Sequence, residues 1–175
     1  VLILGMERPT DLPDTIKSRC SQIRFRDLSV DELGRLLVER LGAEPAAVRL
    51  AVRLARGSLT QAAALVEEDV LTLRDEVIDM ATAEPGAAAP HEKLETLIRG
   101  KDRGRVELIF DLLLLWYRDL LRCSTGGADV EEGFSNEDRL QDLSAWSRRL
   151  SQSDIAESVE KVEEAREALR GYGYL

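Results

Sequence analysis

Few side chains in this chain could do chemistry, and the search narrows quickly. There is one histidine, His91, and there are two cysteines, Cys20 and Cys123, far apart in the sequence. A structural zinc site needs four nitrogen or sulfur ligands at close spacing, so this segment offers no metal site. With one histidine, set at the edge of a proline-rich stretch, neither a Ser-His-Asp nor a Cys-His relay can be built. Glu67, Glu68 and Asp69 read as a solvated face. Both cysteines read as reduced thiols of a cytoplasmic protein, Cys20 as a small buried residue. The stretch LPDTIKSRCSQIRF, residues 12–25, sets Arg19 between Ser18 and Cys20. A guanidinium keeps its charge and presents donors in a planar fork, which suits a phosphoryl group whose charge is redistributing. The plainer alternative is a surface arginine beside a core cysteine.

Charge distribution favours the same region. Residues 1–28 carry five basic and four acidic side chains, whereas 29–83 sum to −4 and 84–175 to −6, within a net charge of −9. So acidic a chain does not hold a nucleic-acid backbone by bulk electrostatics, and phosphate chemistry is expected near the N-terminus if anywhere. No cofactor is expected. The longest apolar run, Leu108 to Tyr117, is broken by Asp111 and too short to span a bilayer, and no segment reads as a signal peptide. Trp116 and Trp146 lie on apolar stripes without a basic groove around them, which favours core or subunit contacts over base stacking.

The elements that must position Arg19 are mostly helices. Hydrophobic residues make up 44% of the chain but aromatics only 5%, so leucine and alanine carry the core. Val1 to Gly5 reads as a buried strand and Gln22 to Arg26 as a half-exposed one; a strand opening the chain suggests a piece of a longer protein. Ser29 and Glu32 form a capping box ahead of Leu33, Leu36, Leu37 and Leu41; Gly42 stops that helix. Pro45 opens a second helix, closed by Gly57; Ser58 and Gln61 cap a third, and a fourth is expected from about Leu71 to Ala83. EPGAAAP, residues 84–90, reads as a linker between two helical units. Beyond it, a helix from Val106 to Leu121 is apolar nearly all round, Ser124 to Ser135 reads as a loop, and two amphipathic stripes follow, Leu140 to Leu150 and Ile155 to Leu169. The expectation is a mainly α chain: a β-containing remnant at 1–28, a small helical domain at 29–83, a linker, and an antiparallel helical bundle at 91–175.

The pattern Leu-Pro-x-Thr-Ile-x-Ser-Arg-Cys at 12–20 resembles the Ser-Arg-Cys motif of AAA+ clamp-loader subunits of bacterial DNA polymerase III. GSLTQAAA, residues 57–64, is similar to the second sensor region of their lid, and FDLLLLWYRDLLR (110–122) and AREALR (165–170) to collar-domain helices. The resemblance implies an AAA+ lid at 29–83, a collar at 91–175, and a role for Arg19 as an arginine finger reaching a neighbour's ATP site. Thr60 stands where ATP-binding relatives carry a sensor arginine, and Gly5, Met6 and Glu7 stand where they carry a polar first sensor. Both departures point to the non-hydrolysing, delta-prime kind of subunit. That would make the chain no enzyme itself, but part of a DNA-directed DNA polymerase III assembly in the cytoplasm. The implied partners are the gamma/tau and delta subunits, with the sliding clamp and primed DNA reached through the assembled ring. The alternatives are the gamma/tau motor ATPase and a helical scaffold unrelated to replication.

Overall fold

The computed structural model describes residues 3–5, 13–83, 97–100, 102–125 and 133–171. These are mainly helical, with no β-strand among them. The expected β-containing remnant is therefore corrected at 3–5 and 22–26. A strand exists only where a neighbour takes its N–H and C=O groups, and the described residues supply none here. Ile3, Ile23 and Phe25 accordingly lie open, at 88%, 78% and 93% exposure.

Most helices start where a side chain accepts from one of their first amides, and two others start at or just behind a proline. Helix α1 is a single turn, Asp14–Lys17, behind Pro13. In α2, Val30–Leu41, the Ser29 hydroxyl accepts from the Glu32 amide and the Glu32 carboxylate accepts from the Ser29 amide. Gly42, in the left-handed region at φ 61°, ends it. Pro45 occupies the first turn of α3, Pro45–Leu54, and Ser58 caps α4, Leu59–Glu67. Helix α5, Val70–Ala81, is capped by Asp69, which accepts from the amide and hydroxyl of Thr72. One member of the expected solvated face is thus a helix cap. Asp102 caps the 22-residue α6, Arg103–Ser124. A 3₁₀ turn, Glu137–Arg139, leads into α7, Leu140–Ser147, and α8, Gln152–Gly171, follows the reciprocal Ser151–Asp154 pair.

Helix α6 is central, as its sequence implies: Ile109, Phe110, Leu113, Trp116 and Leu120 are all buried. Three apolar clusters organise the packing. Leu33 and Leu37 of α2 meet Ala51 and Ala55 at the end of α3 and Ala62 of α4. Leu50 of α3, Leu73 and Val77 of α5, and Ile109 and Leu113 of α6 form a second cluster, with Val162 and Leu169 of α8 against it. Ile78 of α5, Trp116 and Leu120 of α6, Leu143 of α7 and Ile155 of α8 form the third. Residues 84–90, expected as a linker, lie outside the described residues. The helices on either side of that stretch share two of the three clusters. No described helix is long and apolar enough to cross a membrane.

Polar contacts converge on residues 133–139. The Gly133 carbonyl accepts from Arg53 of α3 at 2.7 Å, and the Asn136 amide and side chain both donate to Asp119 of α6 at 2.9 Å. Asp138 receives a bidentate fork from Arg74 of α5, at 2.8 and 2.7 Å. Burial pushes the Asp138 carboxyl up, but Arg74 and, more weakly, Arg49 outweigh it and hold the group below its ordinary value. Arg139 reaches Asp75 and Asp79 on α5 and Asp142 on α7.

Two measurements test this packing. Leu113→Asp should cost about 3 kcal/mol or more, since it removes core contacts and buries a charge, while Leu121→Asp, at a 41% exposed position on the same helix, should leave the thermal midpoint nearly unchanged. A parent-like melt for Leu113→Asp would remove α6 from the centre. Arg74→Met should lower unfolding free energy by about 2–3 kcal/mol, below the usual 3–5 for breaking a buried pair because its carboxylate partners are partly exposed. Denaturant titration showing no change would mean that the fork contributes nothing.

Candidate functional site

The Ser18-Arg19-Cys20 motif sits at the end of α1, on backbone whose amides are spoken for. Ile16 and Lys17 donate to the Pro13 carbonyl, Ser18 to Asp14 at 3.0 Å, Arg19 to Ile16 at 3.1 Å and Cys20 to Lys17 at 3.3 Å. The Ser18 hydroxyl turns back to donate to the Thr15 carbonyl at 3.3 Å. Pro13 fixes its own φ and begins the turn; Lys17 and Asp14 pair across it at 3.4 Å. The motif's backbone is thereby shaped locally, without a strand. Arg19 is exposed, and its guanidinium makes no hydrogen bond or ion pair with the described residues. Cys20 is exposed too, which corrects its expected burial: no apolar element among the described residues covers the turn.

Two polar contacts tie this arm to the helical body, beside the packing of Leu28 against the cluster of Leu33 and Leu37. The Arg26 guanidinium donates to both carboxylate oxygens of Glu32, at 2.9 and 2.7 Å, while Glu32 also accepts from the Ser29 amide and hydroxyl. One carboxylate therefore closes the α2 capping box and anchors the arm. The Arg26 fork, then the two Ser29 donors, hold its carboxyl at about 2, against an ordinary value of 4.5. The second contact runs from the Leu28 amide to the Gly57 carbonyl, at 3.2 Å. Gly57 has φ 87°, and a Cβ there would lie 2.6 Å from the Cβ of Asp27, so only glycine lets the arm approach.

The other candidates do not gather around Arg19. Thr60 lies exposed on the first turn of α4. His91, Met6 and Glu7 lie outside the described residues. Trp116 is a core residue at 1% exposure, and Trp146 is half-buried with Arg149 stacked 5.1 Å from its ring centre. Burial, helped by the nearby Asp119 carboxylate, raises the Cys123 thiol above its ordinary value, which keeps it protonated and unreactive. Among the described residues no group of three metal-binding side chains comes together. What the sequence did not disclose is the Arg26–Glu32 fork. Its only signal is a basic residue six positions before a capping-box glutamate.

Because the folded value of Glu32 lies below its unfolded one, its contribution is complete above about pH 4.5 and is lost as pH falls toward about 2. Glu32→Gln should therefore flatten the acid-side fall of the thermal midpoint between those limits. Identical pH profiles for the two chains would show that the fork does not form in solution. No family model, no curated protein and no solved structure matches the chain.

Proposed function

We propose that this chain is the lid-and-collar portion of a non-hydrolysing, delta-prime-like clamp-loader subunit of bacterial DNA polymerase III, with Arg19 acting in trans on a neighbour's nucleotide. The observation that carries the reading is Arg19 itself: an exposed guanidinium on a hydrogen-bonded turn, inside the Ser18-Arg19-Cys20 motif, with no partner among the described residues. A permanent, planar cation of this kind is suited to stabilise charge that develops on a transferring phosphoryl group. Ile23 and Phe25 lend support. They alternate along the chain and stand almost fully exposed, as apolar side chains do where a sheet or subunit is expected to cover them. In this reading 1–28 closes the AAA+ core, 29–83 is the lid and 91–175 the collar that joins the ring. The gamma/tau and delta subunits are its neighbours, and the sliding clamp and primed DNA are engaged by the whole assembly. The chain binds no nucleotide of its own, because Thr60 takes the place of the sensor arginine. Hydrolysis belongs to the gamma/tau neighbours, within a cytoplasmic DNA-directed DNA polymerase.

In a reconstituted complex, Arg19→Ala should slow hydrolysis at the one site Arg19 faces by about 10³-fold, the low end for an arginine finger. Arg19→Lys should also be impaired, since a point charge does not reproduce the planar fork. Ring assembly, followed by size-exclusion chromatography, should survive both changes. Clamp-stimulated ATPase and loading rates equal to those of the parent complex would leave Arg19 a structural residue.

A further inference from the structure

Among the described residues, four buried side-chain atoms have no hydrogen-bond partner in the chain: Arg49 Nε, Asp119 Oδ1, Asn136 Oδ1 and Arg166 Nε. Three of them belong to one string of contacts. Asn136 donates twice to Asp119 Oδ2, at 2.9 Å, and Glu137, its neighbour in the chain, meets Arg49 of α3 at 3.5 Å. Arg166 stands apart, on α8 with Asp111 at 2.7 Å. Asp119 is 0% and Asn136 1% exposed, so bulk solvent does not serve their oxygens.

The orientation of the Asn136 amide follows from its neighbour. Turned over, it would set its carbonyl oxygen against a carboxylate oxygen with no hydrogen between them. Nδ2 is therefore the atom toward Asp119, and Oδ1 is left as an acceptor. The set to be satisfied is thus two acceptors and one donor, and buried polar atoms are rarely left without partners. A water molecule offers two O–H donors and two lone pairs, and so matches all three. A proton on Asp119 would serve the two oxygens but leave Arg49 Nε without an acceptor. A cation would leave it so too, and would sit beside the like charge of the guanidinium. A metal ion also needs about six oxygen ligands, and among the described residues no group of three metal-binding side chains comes together.

We propose that one buried water molecule is bound between α3, α6 and the 133–139 segment, accepting from Arg49 Nε and donating to Asp119 Oδ1 and Asn136 Oδ1. Three hydrogen bonds are the usual complement of an internal water. This one extends the buried Asp119–Asn136 pair to α3, whose links at Gly133 and Glu137 lie at exposed residues. The site is independent of Arg19 and of the clamp-loader reading.

Two measurements on the 175-residue chain test it. In a crystal structure, a single solvent peak should lie about 2.7–3.2 Å from each of the three atoms. Oxygen-17 relaxation dispersion of the solvent counts waters held longer than the protein takes to tumble. Its amplitude should fall by one water in Arg49→Met/Asn136→Leu, where Asp119 Oδ1 alone remains as a partner. The double variant keeps the Asn136 backbone amide that donates to Asp119, and a thermal melt checks its fold. Should it not fold, the crystal structure of the parent chain decides. The proposal is overturned by ordered side chains with no peak among them, or by Arg49 Nε bonding directly to either oxygen. Direct contact between Asp119 Oδ1 and Asn136 Oδ1 would mean a shared proton and overturn it equally, as would a peak with the ligand number of a metal ion. Equal dispersion amplitudes in the parent and the folded double variant would also overturn it.

Discussion

Asp119 brings a carboxylate into the packed face of α6, where none of its surface reaches solvent. A buried carboxyl needs hydrogen-bond partners, and Asn136 donates twice to its Oδ2, from its amide and from its side chain. That requirement fixes residues 135–136 against α6. Once they are fixed, the following residues must point where they do: Asp138 into the fork of Arg74, Arg139 among three carboxylates, Glu137 toward Arg49 at 3.5 Å. The order of helices α3, α5, α6 and α7 around one short segment follows from this chain of polar obligations. Apolar burial supplies most of the attraction between the helices but is indifferent to register. The directional bonds around 133–139 select one register.

The two-sided character of α5 is the apolar counterpart. Val77 turns toward Leu50 and Leu113, and its neighbour Ile78 toward Trp116 and Leu143. One residue of rotation separates the two clusters, so α5 cannot turn to improve one without exposing the other. Arg74, on the same helix, is buried at 3% exposure and carries the fork to Asp138. Three separate demands thus fall on one twelve-residue helix.

Much of this was legible residue by residue. Ser29 with Glu32, Pro45, Gly42 and Gly57 announce helix ends because capping depends on a few neighbouring atoms. The density of leucine in 106–121 announces the central helix for the same local reason. Asp69 and Asp102 are also caps, but an aspartate on the surface looks the same in sequence whether or not it accepts an amide. The strands expected at 1–5 and 22–26 depend on partners elsewhere, and alternation alone does not supply a ladder. The convergence on 133–139 was illegible, since it pairs residues separated by up to 80 positions. At the candidate site, Arg19 stood out by its motif, whereas the double use of Glu32 did not, because its first role already accounted for it.

The Arg26–Glu32 fork also defines a length. Seven peptide units separate Arg19 from Arg26, and a fully stretched chain of that size spans at most about 25 Å. Whatever Arg19 touches must therefore lie inside a sphere of that radius centred near the start of α2, widened by one side chain. A neighbour docked on the helical body with its reactive group inside this sphere meets the guanidinium at the high effective concentration of a short tether. One docked a few ångströms too far never meets it. The anchor thus turns a question of affinity into one of distance, measured from the first turn of α2.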